Sequence, residues 1–459
     1  MKLLWFKGAK GLNVKYDPVR LEYDPRDGVQ WLAVAYNVDV DMTGRVSRRK
    51  GYETTSVTSD SHSLWSNGEE CLFVSGGVLY SLGPDFTATE VVDIGSDNRV
   101  SYVSVGPRVY WVNGLSKGIV YGGVAEDWEV PGTIYGPATT RQYAAPPSGE
   151  IVGFYRGRLY IAKDNVLWYT EPYGPKMMDY TRNFLPFGDE ITMFHPVANG
   201  IYVSTSRVVW FLSGSNPQEF NWEIVHNHPV VFGSNCQVKL SLISDDMFGL
   251  GVIWTGPDGI CLGLPDGRVK NLTAKTLVYE TGSKAAGVVS NGKYICTMPD
   301  TAEGQLTLVL NLYAMAATQY LNYNFNSYAE FVGMKVGASD SGLMELESGD
   351  NDGTTAIQGM FTLPPTDFGY DGNKSIRFLD LSYEANGGLV VTPIADEVNG
   401  HETEIAAIDR GNRQVTQKVP IGRYLRGRYF GLNVENLDGA DFSIDKITVE
   451  LAGLLPASR

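Results

Sequence analysis

One short motif recurs along the middle of the chain. A tight turn containing glycine leads into an apolar residue and then an aromatic one. It stands at Ser75-Gly-Gly-Val-Leu-Tyr80, Val105-Gly-Pro-Arg-Val-Tyr110, Tyr155-Arg-Gly-Arg-Leu-Tyr160, Val197-Ala-Asn-Gly-Ile-Tyr202 and Val289-Ser-Asn-Gly-Lys-Tyr294, with a weaker copy ending at Trp254. The aromatic residues lie 30, 50, 42, 52 and 40 positions apart, close to the repeat of a four-stranded propeller blade. A second hairpin strand often follows, as at Val166-Leu-Trp-Tyr169. A sheet apolar on both faces cannot bury them alone, whereas radial stacking buries both and leaves short edges. The expectation is an all-β fold with a six- or seven-bladed β-propeller over residues 52–365, and Tyr80, Tyr110, Tyr160, Tyr202 and Tyr294 at equivalent blade positions.

Composition agrees. Aromatics are 12% of the 459 residues, and 52 Gly and 22 Pro supply turns. No amphipathic helix of full length stands out; the nearest segment, Leu312 to Tyr320, lacks caps. After Phe361-Thr-Leu-Pro-Pro-Thr-Asp367, which reads as a linker, alternating strands indicate a C-terminal β-sandwich over 366–459, with hairpins expected at Asn386-Gly-Gly and Asp438-Gly. Residues 1–51 read as a separate, extended N-terminal arm and strand that ends in the basic cluster Gly44-Arg-Val-Ser-Arg-Arg-Lys-Gly51. That cluster is expected to be a solvated turn or an inter-subunit ion-pair partner rather than a phosphate site.

The net charge is −15, concentrated in residues 51–372, where 17 Lys/Arg face 34 Asp/Glu. Such a body does not hold nucleic acid by counterion release. The four cysteines, in apolar stretches and without a C-x-x-C pair, read as buried free thiols. The apolar run Leu3–Phe6 is too short for a signal-peptide core, so the chain is expected to stay in the cytoplasm where it is made. The charge-free run Gln305 to Ala329 carries six Asn or Gln residues and reads as packed strands.

Chemistry-bearing motifs are weak. His226-Asn-His228 puts two imidazoles on one strand, a metal half-site with no third ligand nearby in sequence. Asn37-Val-Asp-Val-Asp41 with Gly44 lacks the spacing of a calcium loop, and Asp350-Asn-Asp-Gly353 reads as a turn. Gly114-Leu-Ser-Lys-Gly118 matches G-x-S-x-G, but flanking strands put Ser116 in a hairpin rather than a nucleophile elbow. The Asp boxes of propeller sialidases are absent; Ser348-Gly-Asp-Asn-Asp-Gly-Thr-Thr355 is the nearest stretch and does not recur. No catalytic, cofactor-binding or metal-ligating residue is expected, and no cofactor.

Three groups of residues carry a family resemblance. One is Leu167-Trp-Tyr-Thr-Glu-Pro-Tyr173, Arg182-Asn-Phe-Leu-Pro-Phe187, Ile191 to Trp210 and Leu212-Ser-Gly214. A second is Leu32-Ala-Val-Ala-Tyr-Asn-Val-Asp-Val-Asp41 with Gly44-Arg45 and Arg48 to Gly51. The third is Gly422-Arg-Tyr424, Gly427-Arg-Tyr429 and Asp438-Gly-Ala-Asp-Phe442. Together they resemble structural tail proteins of tailed phages, nearest to the tail nozzle, or packed-DNA-stabilisation, proteins of short-tailed phages. The resemblance implies a virion tail subunit forming a ring, a homohexamer, below the portal and the head-to-tail adaptor protein. It implies contact with a tail fibre or a needle/plug protein, and phage DNA passing through the ring without sequence-specific binding. Two other classes stay open: a glycan- or receptor-binding tail-tip protein using exposed Trp128 and Tyr135, and a propeller glycan hydrolase. The segments flanking the repeat are expected to carry ring and adaptor contacts, with removal of Met1 to Tyr16 leaving a folded monomer. The acidic surface is expected either to serve solubility alone or in part to line the DNA channel and let the duplex slide.

Overall fold

The computed structural model describes residues 2–21, 26–129, 143–406, 413–421 and 425–452. Alternating strands and glycine turns give an all-β chain built round a β-propeller. Blades I (62–93), II (101–126), III (151–186), IV (191–226) and V (236–271) are each one four-stranded antiparallel sheet in sequence order. Blade VII (327–346) has three strands of its own, and Tyr52–Thr54 adds the fourth by pairing with Gly342–Leu346. The first five of those sheets are confined to their blades, and that of blade VII runs on into the short hairpin of Asn351–Asp352 and Thr355–Ala356. At the remaining position, blade VI (286–320) forms the first four strands of a ten-stranded sheet that runs out into the C-terminal region.

Radial stacking is visible in the packing. Leu72, Val74 and Leu79 of blade I bury against Val109, Trp111 and Val120 of blade II. Tyr110, Val112 and Ile119 of blade II meet Leu159 and Ile161 of blade III. Separate cores join III to IV, IV to V, VI to VII and VII to I. The fully buried hydrophobics of each interface remove apolar area from water on both faces of a sheet that could cover neither alone.

The strand-entry tyrosines fall into three settings. Tyr110, Tyr160 and Tyr202 sit on second strands, two register pairs beyond the turn, and are buried. Tyr294 is only one pair beyond its turn, and a one-residue shift turns a side chain to the opposite face. It donates to Ser234 O of blade V's approach segment. Tyr80 is on the third strand of blade I, where Phe73 holds the second-strand place and stacks on it at 5.3 Å. The expected equivalence therefore holds for three of the five.

The C-terminal region is a two-layer sandwich, with three corrections to the sequence reading. First, the supposed linker is a strand: Met360–Thr366 lies between Val34–Tyr36 and Phe430–Asn436. Phe361 and Leu363 point into the core and are fully buried, so the two prolines do not free this segment. Second, Asn386-Gly-Gly and Asp438-Gly are not hairpins. Each carries the chain from one sheet to the other, and the two corners lock together through Asn386 N–H donating to Asp441 O at 3.1 Å and Asp441 N–H donating to Asn386 Oδ1 at 2.7 Å. Third, the N-terminal segment is extended but does not stand apart. Lys2–Phe6 pairs antiparallel with Phe442–Ala452, and Val38–Val40 and Val46–Arg48 extend the same sheet. Trp5 and Phe6 are fully buried in a core that runs from the sandwich into blades V and VI.

Candidate functional site

The first strands of all the blades converge on the propeller axis. They enclose a cavity of about 460 Å³, walled by Trp65, Tyr102, Phe154, Phe194, Phe232 and Tyr328 and by a few polar groups. Serines stitch its inner rim. Leu64 N–H donates to Ser327 Oγ, Val100 N–H to Ser63 Oγ and Val152 N–H to Ser101 Oγ, each joining one blade to the next. These inner strands carry few ladder bonds to neighbouring blades, so a hydroxyl satisfies backbone N–H groups that would otherwise be orphaned.

Besides the phenols of Tyr102 and Tyr328, four ionisable groups line this cavity. Arg99 reaches across from the entry to blade II. Its Nη1 donates to Ala285 O at 2.8 Å and its guanidinium lies 5.3 Å from the Phe232 ring centre. Gly233, at φ +83°, makes room for it, since a Cβ there would lie 2.2 Å from Arg99 Nη1. Burial lowers the Arg99 pKa, yet a guanidinium remains charged. Among the described residues no carboxylate lies within ion-pair distance of it. Burial likewise pushes His195 down to about 4, and its Nδ1 faces Asn235 Nδ2 at 3.3 Å. Glu150 is raised, chiefly by burial, and Cys236 stands well above its ordinary value for the same reason, then because of Cys296. Such a cavity suits a small anionic or amphipathic molecule with one cationic contact. Glu150 is the one carboxylate among the described residues lining it, whereas glycoside hydrolysis uses a facing pair.

The residues singled out from sequence land elsewhere. Ser116 lies in the hairpin of blade II and donates to Ile94 O at 3.1 Å. Trp128 is 1% exposed, with Nε1 donating to Pro175 O, so the expectation of an exposed recognition residue there is corrected: it fills the core between blades II and III. Tyr135 and 422–424 lie outside the described residues. Asp39 pairs with Lys293 at 2.6 Å and Asp41 caps its own turn, which leaves neither for calcium. The cysteines are free, three of them buried.

The basic cluster is also corrected. It is not a solvated turn: Arg48 and Arg49 are buried in bonds within the chain and form an internal latch. All five Arg49 N–H donors are used, on Asn37 Oδ1, Lys50 O, Leu321 O and both oxygens of Asp352 at 2.7 and 2.6 Å. Arg49 and Asp352 are both nearly inaccessible to solvent. Arg48 joins Asp350 at 2.9 Å and Asp441 at 3.4 Å. The turn Asp350–Gly353 thus ties the end of the propeller to the N-terminal segment and the sandwich corner. The signal was the acidic Asp-x-Asp, some 300 residues from its partners.

No family model matches the chain, and no curated protein matches it. Several solved structures are similar to it. The extracellular domain of the hybrid two component system BT4673 from B. thetaiotaomicron aligns at TM-score 0.45 and 12% identity, over 80% of this chain and 47% of that one. The chain therefore spans under half of that protein's length. The AfRom2 CNH domain aligns at TM-score 0.38 and 8% identity, over 64% of this chain and 96% of that one. The WD40 domain of Neurospora crassa Pan2 aligns at TM-score 0.39 and 10% identity, over 62% and 88%. At this level the likeness is one of propeller fold and carries no argument about activity.

Proposed function

We propose that this chain is a structural subunit of a phage tail, a nozzle protein that assembles as a homohexameric ring below the portal and adaptor and holds packed DNA until ejection. The observation that carries the reading is where the resembling segments meet. Residues 32–51 and 427–442 are remote in sequence, yet Arg48 and Lys50 pair with Asp441 and both segments share one sandwich. A single β module beside the propeller offers one body for ring and adaptor contacts. Glu150 is the one carboxylate among the described residues lining the axial cavity, so these residues offer the glycan hydrolase alternative no facing pair of acids. DNA would pass through the lumen of the ring, since the propeller's own axis encloses only a small cavity of about 460 Å³ walled by aromatic side chains.

Purified protein is expected to form or join six-fold rings in electron micrographs, and antibody against it is expected to label the tail end of particles. Particles lacking it are expected to lose packaged DNA. A chain that remains monomeric with portal and adaptor present, and labels no particle, overturns the proposal. If acids on the ring lumen let the duplex slide, replacing several with Lys slows release most at low ionic strength.

A further inference from the structure

The sequence offers His226 and His228 without further ligands; the fold supplies two. His226 ends the outer strand of blade IV. Asp258 occupies the turn between the second and third strands of blade V, and Cys261 lies on that third strand. The Nε2 of His226 is 3.1 Å from Asp258 Oδ2 and 3.8 Å from Cys261 Sγ, and the three donor atoms all lie within 4.8 Å of one another. We propose that His226, Asp258 and Cys261 form a binding site for a zinc-class divalent cation that staples blade IV to blade V.

The donor set and spacing fit such an ion. Zinc takes thiolate at about 2.3 Å and imidazole or carboxylate at about 2.0 to 2.2 Å in a tetrahedron. The edges of that tetrahedron are about 3.5 Å from sulfur to nitrogen and about 3.3 Å from nitrogen to oxygen. The two His226 distances lie within a few tenths of an ångström of these. Thiolate with imidazole selects zinc over calcium or magnesium, which want oxygen alone. The outer contacts are those of a metal site as well. Asp258 is oriented by Asn271, whose Nδ2 donates to Asp258 O at 2.7 Å and to Oδ2 at 2.9 Å. Asn271 is also the register partner of Cys261, so one side chain positions the carboxylate beside the thiol. Cys261 is fully buried and the Trp254 ring walls the site at 6.3 Å from His226. His226 and Asp258 are 16% and 23% exposed, which leaves one open side for a fourth ligand, water or the exposed His228 ring centred 5.7 Å away. Burial holds the free thiol protonated, well above its ordinary value. A bound cation reverses that preference and takes the thiolate, releasing one proton to solvent.

The test uses the full chain stripped with chelator and titrated with Zn(II) or Co(II). One ion per chain is expected, and Co(II) should show tetrahedral visible bands with thiolate-to-metal charge transfer in the near ultraviolet. Cys261→Ser should abolish the charge-transfer band. Asp258→Asn and His226→Gln, at partly exposed positions that tolerate the change, should weaken binding at least tenfold, about the loss expected of an outer-contact variant such as Asn271→Ala. Affinity should fall as pH is lowered. A Co(II) spectrum of octahedral type, or binding unchanged in Asp258→Asn and His226→Gln, overturns the site even if Cys261→Ser fails to fold.

Discussion

Blade III and the sandwich are both antiparallel β, and they are assembled in opposite ways. All four strands of blade III come from residues 151–186, each pairing with the one before it. In the sandwich, Phe442–Ala452 is flanked by Lys2–Phe6, Lys374–Ala385 and Val46–Arg48. Blade III can form its ladder with short loop closures, whereas the sandwich must wait for both ends of the chain. The propeller is therefore a series of local decisions closed by one borrowed strand, Tyr52–Thr54, and the sandwich is a single non-local one. The two bodies also share a core, because Tyr294, Cys296 and Leu310 of blade VI belong to the same cluster as Trp5, Phe361 and Val449.

Removing residues 2–16 is the most damaging way to press on this contrast. It deletes a strand of the sandwich and two fully buried aromatics, so the truncated chain is expected to be insoluble rather than a folded monomer. The single substitution Trp5→Ala, which empties a site edge-on to Phe368 at 5.0 Å, should cost about 3–5 kcal/mol. Hydrogen exchange should then rise in 442–452 and blade VI before blades II and III. Ile119→Ala, in the interface of blades II and III, should do the reverse. Equal loosening of both regions by both variants would mean that the molecule unfolds as one unit and the distinction has no energetic content.

The Arg49–Asp352 pair joins the two regions and should give the next largest effect. Arg49→Met leaves a buried carboxylate without its partner, a loss of about 3–5 kcal/mol by urea unfolding. The double variant Arg49→Met with Asp352→Leu should recover most of it, because a well-packed apolar pair avoids the desolvation of two charges. If the double variant is as unstable as the single, the latch works through its backbone bonds to Leu321 and Lys50 and not through the charges.

The same contrast explains what could be read from sequence. A glycine turn announces a hairpin within a few residues, so blades II to IV and the tyrosines at 110, 160 and 202 are legible. The turn does not say which hairpin it closes. Gly76-Gly77 joins the second and third strands of blade I, with chemistry like that of first turns elsewhere, and Tyr80 was misaligned for that reason. Alternation in 374–385 and 442–452 reveals strands facing one core, but not that Trp5 lies between the sheets. The candidate sites are non-local throughout. Arg99 meets Ala285 across 186 positions, and His226 reaches Asp258 and Cys261 across 32 and 35. No spacing rule links such residues; only the closure of the ring brings them together.

The smallest expected effect belongs to His195 and separates the regions by acid rather than by mutation. Burial against the wall of the axial cavity moves its pKa from 6.5 to about 4. Above about pH 6.5 the imidazole is neutral in both folded and unfolded chains and contributes nothing to the pH dependence. As pH falls from about 6.5 towards 4, the unfolded chain takes up the proton and the folded one does not, so stability is lost through that window. Below about 4 the folded form is protonated as well, and this contribution stops growing. The group sits on the first strand of blade IV, beside Asn235 of blade V, and outside the cluster that the propeller shares with the sandwich. Its titration should therefore loosen the cavity-lining strands of blades IV and V first. His195→Asn is expected to reduce the fall in melting temperature between pH 7 and pH 5, and to spare hydrogen-exchange protection in 191–197 at the lower pH. A variant that loses as much stability as the parent over the same interval would assign the acid sensitivity of the propeller to another group.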